Sequence, residues 1–147
     1  YTDSDMSADL DTSRSTSGYV TTYAGGAVSW QSRLQKMVAL STTEAEYMAA
    51  VEAGKEILWM KDFIGEYGIR QDEYRLYCDS QSAIHLARNA AYHSRTKHIQ
   101  RVEDREFVLR KIHTAKSRSD MLTKVLTPDK LEACQKRIGL TRHPMPV

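Results

Sequence analysis

The sequence predicts a single mixed α/β domain, and three patterns carry that prediction. A strand–turn–strand pattern covers residues 18–32, a long amphipathic helix begins near residue 41, and short strands and helices alternate from residue 74 onward. Strands and helices in such an order pack as layers around one core. The 147 residues suffice for one domain. We assign that domain to residues 1–140 and a loose tail to residues 141–147.

The first pattern predicts a β-hairpin. Residues 18–23 are rich in aromatic and β-branched side chains, which favour strands. The run Ala24-Gly25-Gly26 offers the positive φ angles of a tight turn. Residues 27–32 alternate between small or apolar and polar side chains, so we expect them to form the returning strand.

A long helix is predicted from Ser41 to Gly68. Ser and Thr at 41–43 offer N-caps, and Glu44 or Glu46 could complete a capping box. Apolar side chains then recur at helical spacing, namely at Ala50, Ala53, Ile57, Met60 and Ile64. Gly68 is a typical helix stop.

The second half of the chain predicts shorter elements. They are a strand at 74–78, a helix at 82–88, a polar and basic loop at 91–98, a strand at 106–113, and helices at 120–126 and 128–138.

The charge is distributed unevenly along the chain, although the net charge is only +2. Residues 1–11 carry four acids and no base, whereas residues 88–124 are rich in Lys and Arg. An acidic pocket beside a basic surface suits a metal-using enzyme that acts on a polyanion. Two solvated surfaces that never meet remain the alternative.

The composition also bounds the cellular setting. No apolar run approaches the roughly 18 residues that a membrane span needs, and the polar, acidic start is unlike a signal peptide. Cys78 and Cys134 lack the spacing of a disulfide framework or zinc knuckle, which favours a reducing compartment. We therefore expect an intracellular protein, cytoplasmic or nuclear, not secreted and without a membrane partner. The missing initiator Met suggests a piece of a longer protein.

Four carboxylates lie beside predicted core elements: Asp3, Glu46, Asp79 and Asp120. Asp79 directly follows a strand, and Tyr1-Thr2 look like the end of another strand before Asp3. Neighbouring parallel strands would bring both acids to one sheet edge. Glu46 ends the core-facing stripe of the long helix, where an unpaired charge is costly. Such a carboxylate needs a metal or a cationic partner.

Each acid also has a plainer interpretation. Asp79 and Asp120 could be helix N-caps, a common use of Asp. Glu46 could close a capping box with Thr43, and Asp3 could be a surface acid. Together, however, the four fit a carboxylate cage for Mg²⁺ or Mn²⁺, since hard oxygen ligands without a Cys/His cluster disfavour zinc. Two such ions would serve an in-line phosphodiester displacement.

Six blocks in order resemble the ribonuclease H domain of copia-type LTR retrotransposon Pol polyproteins, over about residues 1–140. They are Tyr1–Asp5, Ser13–Val20 with Ala27–Trp30, Val38–Ala50, Tyr77–Ile84, His93–Ile99, and Asp120–Lys124 followed by Ile138–Leu140.

The resemblance implies a ribonuclease H-like mixed five-stranded sheet flanked by helices. It implies an endonuclease that hydrolyses the RNA strand of RNA–DNA hybrids with two Mg²⁺ or Mn²⁺ ions. By motif the catalytic and metal-binding acids fall on the same four residues, Asp3, Glu46, Asp79 and Asp120. Adjoining reverse transcriptase and integrase segments of a polyprotein are the implied neighbours.

Three departures from the family pattern lead to further expectations. Only two residues precede Asp3, so we expect a truncated first strand, and Met6 replaces the usual Trp. Residues 99–106 look like an internal deletion of helical turns that could misplace Asp120. The alternative function is therefore a degenerate or co-opted ribonuclease H-like module that binds nucleic acid or protein without catalysis.

Substrate contacts are predicted in one loop, at Ser94, Arg95, Thr96, Lys97 and His98. Arg and Lys there could neutralise phosphates, and the hydroxyls could bond phosphate or sugar oxygens. A solvated charge run is the alternative, and a metal pair of His93 with His98 lacks a third ligand. Hybrid recognition would rest on shape, phosphates and 2′-hydroxyls.

Two further predictions concern a histidine and the large aromatic residues. His113 resembles in placement the mobile-loop histidine of ribonucleases H, a candidate for proton transfer, with a surface histidine as the alternative. The large aromatics are expected in the core rather than as base-stacking platforms, namely Trp30, Tyr47, Trp59 and Tyr77.

Overall fold

The computed structural model describes residues 1–9, 11–88 and 107–140, without the side chains of 7–9. These residues form a mixed α/β structure with five strands and three α-helices, as predicted. In chain order the elements are β1 Thr2–Asp9, β2 Arg14–Tyr23, β3 Gly26–Leu34, α1 Thr42–Glu66, β4 Arg75–Cys78, α2 Gln81–Ala87, β5 Val108–Lys111, 3-10 turns Thr114–Lys116 and Asp120–Leu122, and α3 Pro128–Arg137.

The first three strands form an antiparallel sheet in the order β1-β2-β3. The predicted hairpin is confirmed, with Ala24 and Gly25 at positive φ in its turn. Both of its strands extend beyond the predicted bounds, because polar flanking residues continue the ladder hydrogen bonds that composition alone does not reveal.

The prediction of a truncated first strand is wrong. β1 is eight residues long and pairs with β2, with Thr2 opposite Tyr19 and Asp3 opposite Gly18. Ser and Asp are poor strand formers by propensity, but pairing with β2 and packing against α1 override that preference. Asp3 therefore lies within a strand rather than beyond the end of one.

Helix α1 begins and ends within two residues of its predicted limits. Ser41 is the N-cap, and its Oγ accepts a hydrogen bond of 3.1 Å from the Glu44 backbone N–H. The Glu44 carboxylate in turn accepts from the backbone N–H of Leu40 at 2.7 Å. The helix buries its small and aliphatic stripe, including Ala53 and Ile57, against Tyr19 of β2 and Leu76 of β4.

The single five-stranded sheet implied by the resemblance is divided in two. β4 and β5 form a separate parallel pair, with Leu76 opposite Leu109. β1 contacts β4, and the rings of Tyr1 and Tyr77 stack with centroids 4.9 Å apart, but no ladder joins these strands within the described residues. Side-chain packing, rather than backbone pairing, connects the two sheets.

The segment after β5 covers the other face of the first sheet. The predicted helix at 120–126 is wrong: only a 3-10 turn forms at Asp120–Leu122, because this segment bends to lie over Gly18 of β2. The predicted helix at 128–138 is confirmed as α3. Ile138 follows it and is buried, and its carbonyl accepts a hydrogen bond from Ala27 N–H at 2.8 Å.

The prediction that the large aromatics lie in the core is only partly confirmed. Tyr47 is buried, and Tyr77 is half-buried beneath Tyr1. Trp30 and Trp59 are instead 61% and 56% exposed, since each lies on the side of its element that faces away from the core.

Some predictions fall outside the described residues: the loop at 93–98, the apparent deletion at 99–106 and the tail at 141–147. Among the helices that the structure describes, none has the length and apolar character to span a membrane.

Candidate active site

Asp3 and Glu46 come together where β1 passes the first turns of α1. Asp3 is completely buried, and the backbone N–H of the next residue, Ser4, donates to Glu46 Oε1 at 3.1 Å. The capping role belongs to Ser41 and Glu44, so Glu46 is not part of a capping box with Thr43. Its carboxylate points toward the strands, as the stripe position predicts.

Asp79 follows β4 and lies close to Glu46. A carboxylate oxygen of each residue and the thiol sulfur of Cys78 all lie within 4.8 Å of one another. Asp79 is not the N-cap of α2, because Ser80 holds that position and its Oγ accepts from Ala83 N–H at 3.1 Å. Lys111 Nζ donates to the Asp79 backbone carbonyl, which fixes the loop beside β5.

Asp120 opens the 3-10 turn Asp120–Leu122, which packs against β1 and β2. Ser119 takes the N-cap position of that turn, so Asp120 does not serve as its cap. Its Oδ1 is buried and has no hydrogen-bond partner among the described residues. A buried carboxylate oxygen without a donor is costly, so this atom is a strong candidate for a cation ligand.

Nearby acids contribute to the pKa shifts of Glu46 and Asp3. Burial, then the negative charges of Asp3 and Asp79, raise the pKa of Glu46 to about 7, against the opposing hydrogen bond from Ser4. Burial also raises the pKa of Asp3, which Asp120 raises further. Glu46 therefore lies near both Asp3 and Asp79, and Asp120 acts on Asp3; a common metal site for all four acids stays a prediction.

Two residues that sequence reasoning did not assign to the site bind Asp3 directly. Lys124 Nζ lies 3.1 Å from Asp3 Oδ1 and 3.0 Å from Oδ2, and Thr123 Oγ1 donates to Oδ2. The sequence feature that could have indicated Thr123 and Lys124 is their place in the Asp120–Lys124 motif, one helical turn after an acid. Nothing in that motif indicates that its partner lies some 120 positions earlier.

Cys78 is the third unassigned residue near the acids. It is fully buried, with its sulfur 4.0 Å from Glu46 Oε2 and 3.4 Å from the Ser80 backbone N–H. Burial, opposed by the Ser80 hydrogen bond and reinforced by the nearby carboxylates, raises its pKa to about 12. The thiol therefore stays protonated at neutral pH and adds no negative charge to the cluster.

His113 lies just beyond β5 and is exposed. Its Nδ1 accepts a hydrogen bond of 3.2 Å from Ala115 N–H, so the side chain caps the 3-10 turn Thr114–Lys116. Its role in proton transfer stays a prediction.

Comparison with known proteins gives long matches to transposon polyproteins. The chain is 52% identical over 148 residues, or 95% of its length, to a retrovirus-related Pol polyprotein from transposon TNT 1-94 of Nicotiana tabacum. It is 35% identical over 98% of its length to that from transposon RE1 of Arabidopsis thaliana. Its homologues are retrovirus-related Pol polyproteins of transposons. The chain spans 11% and 10% of the lengths of these two relatives.

A shorter match lies outside that group. Over 60 residues, 41% of this chain and 42% of the relative, the chain is 52% identical to the secreted RxLR effector protein 161 of Plasmopara viticola. No protein-family model matches the chain, and no solved structure matches it significantly.

Proposed function

We propose that this chain is the ribonuclease H domain of a copia-type retrotransposon polyprotein, an endonuclease that cuts the RNA strand of RNA–DNA hybrids by two-metal-ion catalysis. One observation carries the proposal: Glu46 lies beside the buried Asp3 and its carboxylate lies beside that of Asp79, with Asp120 near enough to raise the pKa of Asp3, although the four residues are far apart in the chain. The homologous polyproteins support the same assignment.

The donor set fits Mg²⁺ or Mn²⁺. Four carboxylates supply hard oxygens. A nearby cation would give the buried Oδ1 of Asp120 the partner that it lacks among the described residues, and it would lower the raised pKa of Glu46. The four acids would hold two such ions, which supply an activated water and charge stabilisation at the leaving oxygen. The chain itself holds the four carboxylates on β1, α1, the loop after β4 and the 3-10 turn Asp120–Leu122, with Asp3 fully buried.

The substrate side of the proposal rests on the sequence. Ser94, Arg95, Thr96, Lys97 and His98 would bind the phosphate backbone, and RNA 2′-hydroxyls would distinguish the hybrid from duplex DNA. We place the domain inside the cell, beside reverse transcriptase and integrase segments of its polyprotein.

Cleavage of a labelled hybrid tests the proposal. In Mg²⁺ the purified chain should cut the RNA strand and leave the DNA strand intact. Asp79→Asn should reduce cleavage to background because it removes a ligand charge, whereas Asp129→Asn, at an exposed position on α3, should cleave normally. Cleavage by Asp79→Asn at the parental rate, or cleavage in EDTA, would refute the two-metal scheme.

A second candidate is a module that binds hybrids or protein without cutting. The 60-residue match to a protein not named as a polyprotein favours it, because homologous segments then exist outside Pol. It predicts hybrid binding in a gel-shift assay with no cleavage in Mg²⁺ or Mn²⁺.

A further inference from the structure

Lys124 occupies a distinctive position in the acidic cluster. Its ammonium lies 3.0 and 3.1 Å from the two oxygens of Asp3, a residue with no exposed surface. The lysine side chain itself is 36% exposed, so it reaches from the solvent boundary to a buried carboxylate. This is a direct ion pair with one of the proposed metal ligands.

The surroundings make Lys124 a counter-ion for more than one acid. Burial alone would lower the pKa of its ammonium, but the charges of Asp3, Asp120 and Asp79 raise that pKa above its usual value. A buried carboxylate is strongly disfavoured without such a partner. Lys124 thus supplies positive charge to the buried Asp3 and lies within electrostatic reach of Asp120 and Asp79.

A metal ion that takes the Asp3 oxygens as ligands competes with the lysine for them. Mg²⁺ binds carboxylate oxygens at about 2.0–2.1 Å. Because the ammonium already lies 3.0 and 3.1 Å from the two Asp3 oxygens, a cation bound to the same carboxylate would be close to it, and two like charges repel in a buried site. Binding of the ion is therefore favoured when the ammonium moves away from Asp3.

We propose that Lys124 is a resident counter-ion that a divalent cation displaces from Asp3, so that this lysine sets the metal affinity of the site. The proposal rests on the function proposed above. The flexible four-carbon stem and the exposed part of the side chain give the ammonium a route to solvent. The lysine stabilises the acidic cluster without metal and weakens metal binding by the same interaction.

Mg²⁺ titrations without nucleic acid test the proposal. Lys124→Met keeps the length of the side chain and removes its charge, and Lys136→Met removes an exposed lysine paired with Glu132 on α3. Lys124→Met should bind Mg²⁺ about tenfold more tightly than the parent by calorimetry, a coupling of ordinary size. Its melting temperature should fall in EDTA and recover in saturating Mg²⁺. Lys136→Met should match the parent in both measurements.

Amine labelling of the unaltered protein gives a test that does not depend on a variant folding. Peptide mass spectrometry after reductive methylation should show Lys124 reacting slowly in EDTA and several-fold faster in Mg²⁺, while Lys136 reacts alike in both. If Mg²⁺ binds but neither the affinity of Lys124→Met nor the labelling of Lys124 changes, the displacement is wrong and the nuclease proposal stands. If Mg²⁺ binds neither the parent nor Lys124→Met, both proposals are overturned.

Discussion

At the residue scale, Glu46 shows how the fold alters the chemistry of one side chain. A glutamate in the unfolded chain titrates near 4.5, whereas burial and two neighbouring acids bring the pKa of Glu46 to about 7. Between those values the folded protein holds a proton that the unfolded chain has released. The free energy of unfolding therefore falls as pH rises through this range.

Denaturant unfolding in EDTA at pH 5 to 8 checks this prediction. Stability should decline between about pH 5 and 7, by at most about 1.4 kcal/mol per pH unit for one group. Asp3, whose pKa is also raised, contributes to the same trend. Because Mg²⁺ needs ionised ligands, its affinity should rise over the same interval. Glu46→Gln should flatten the decline, and an unchanged slope in that variant would show that Glu46 is not its source.

The four acids could be singled out from sequence because each lies next to a recognisable element, and their role as metal ligands stays a prediction. The sequence did not exclude capping roles for Glu46 and Asp79. Ser41 and Ser80 lie near them in the chain and could serve as the caps of the same two helices. The partner of Lys124 was not predictable, because the pair joins the first strand to a turn near the end of the described chain. Local pattern carries no information about such contacts.

At the element scale, the position of Asp120 depends on how a short turn docks on the first sheet. A Cβ placed on Gly18 would lie 2.8 Å from both Leu122 Cβ and Thr123 Cγ2, closer than real Cβ contacts. The turn approaches β2 this closely because Gly18 has no side chain. Thr123 and Lys124, which bind Asp3, belong to the same segment.

Gly18→Ala is accordingly expected to displace this turn. Overpacking of this kind costs about 1–3 kcal/mol, which urea unfolding would measure, and hybrid cleavage should fall even where the variant remains folded. Gly65→Ala is the matched control, since Gly65 lies in α1 with nothing within 4 Å of its added Cβ. That change should raise stability by about 0.5–1 kcal/mol. Normal activity in Gly18→Ala would show that the turn is not held in place by this contact.

Element types were more predictable than their extents and partners. The period of the long helix fixed α1 to within two residues, because its apolar stripe and cap are local signals. The length of β1 and the division into two sheets were not predictable, because both depend on pairing between segments distant in the chain. The prediction of a helix at 120–126 was wrong for the same reason, since contact with Gly18 determines the shape of this segment.

At the scale of the whole molecule, the acidic cluster should couple metal binding to folding. The acids come from β1, α1, the loop after β4 and the last 3-10 turn, so an unfolded chain cannot assemble them. A ligand bound only by the folded state stabilises it by mass action, by about 2.7 kcal/mol at one hundred times Kd.

Thermal or urea unfolding with increasing Mg²⁺ would measure this stabilisation. Asp120→Asn should lose most of it, since the variant lacks one ligand charge, whereas the exposed Asp129→Asn should keep it. An equal Mg²⁺ effect in both variants would place the bound ion elsewhere on the molecule.

Ile138 and Gly139 close the structure by resting on the hairpin turn, where Gly139 has positive φ and an added Cβ would overlap the carbonyl of Gly25. This contact with the hairpin turn anchors the C-terminal segment that carries Asp120. During synthesis, the other three acids leave the ribosome long before Ile138 and Gly139 can contact the hairpin turn. A nascent polypeptide therefore completes the set of four acids last, and the proposed cleavage would begin only after synthesis has passed this point.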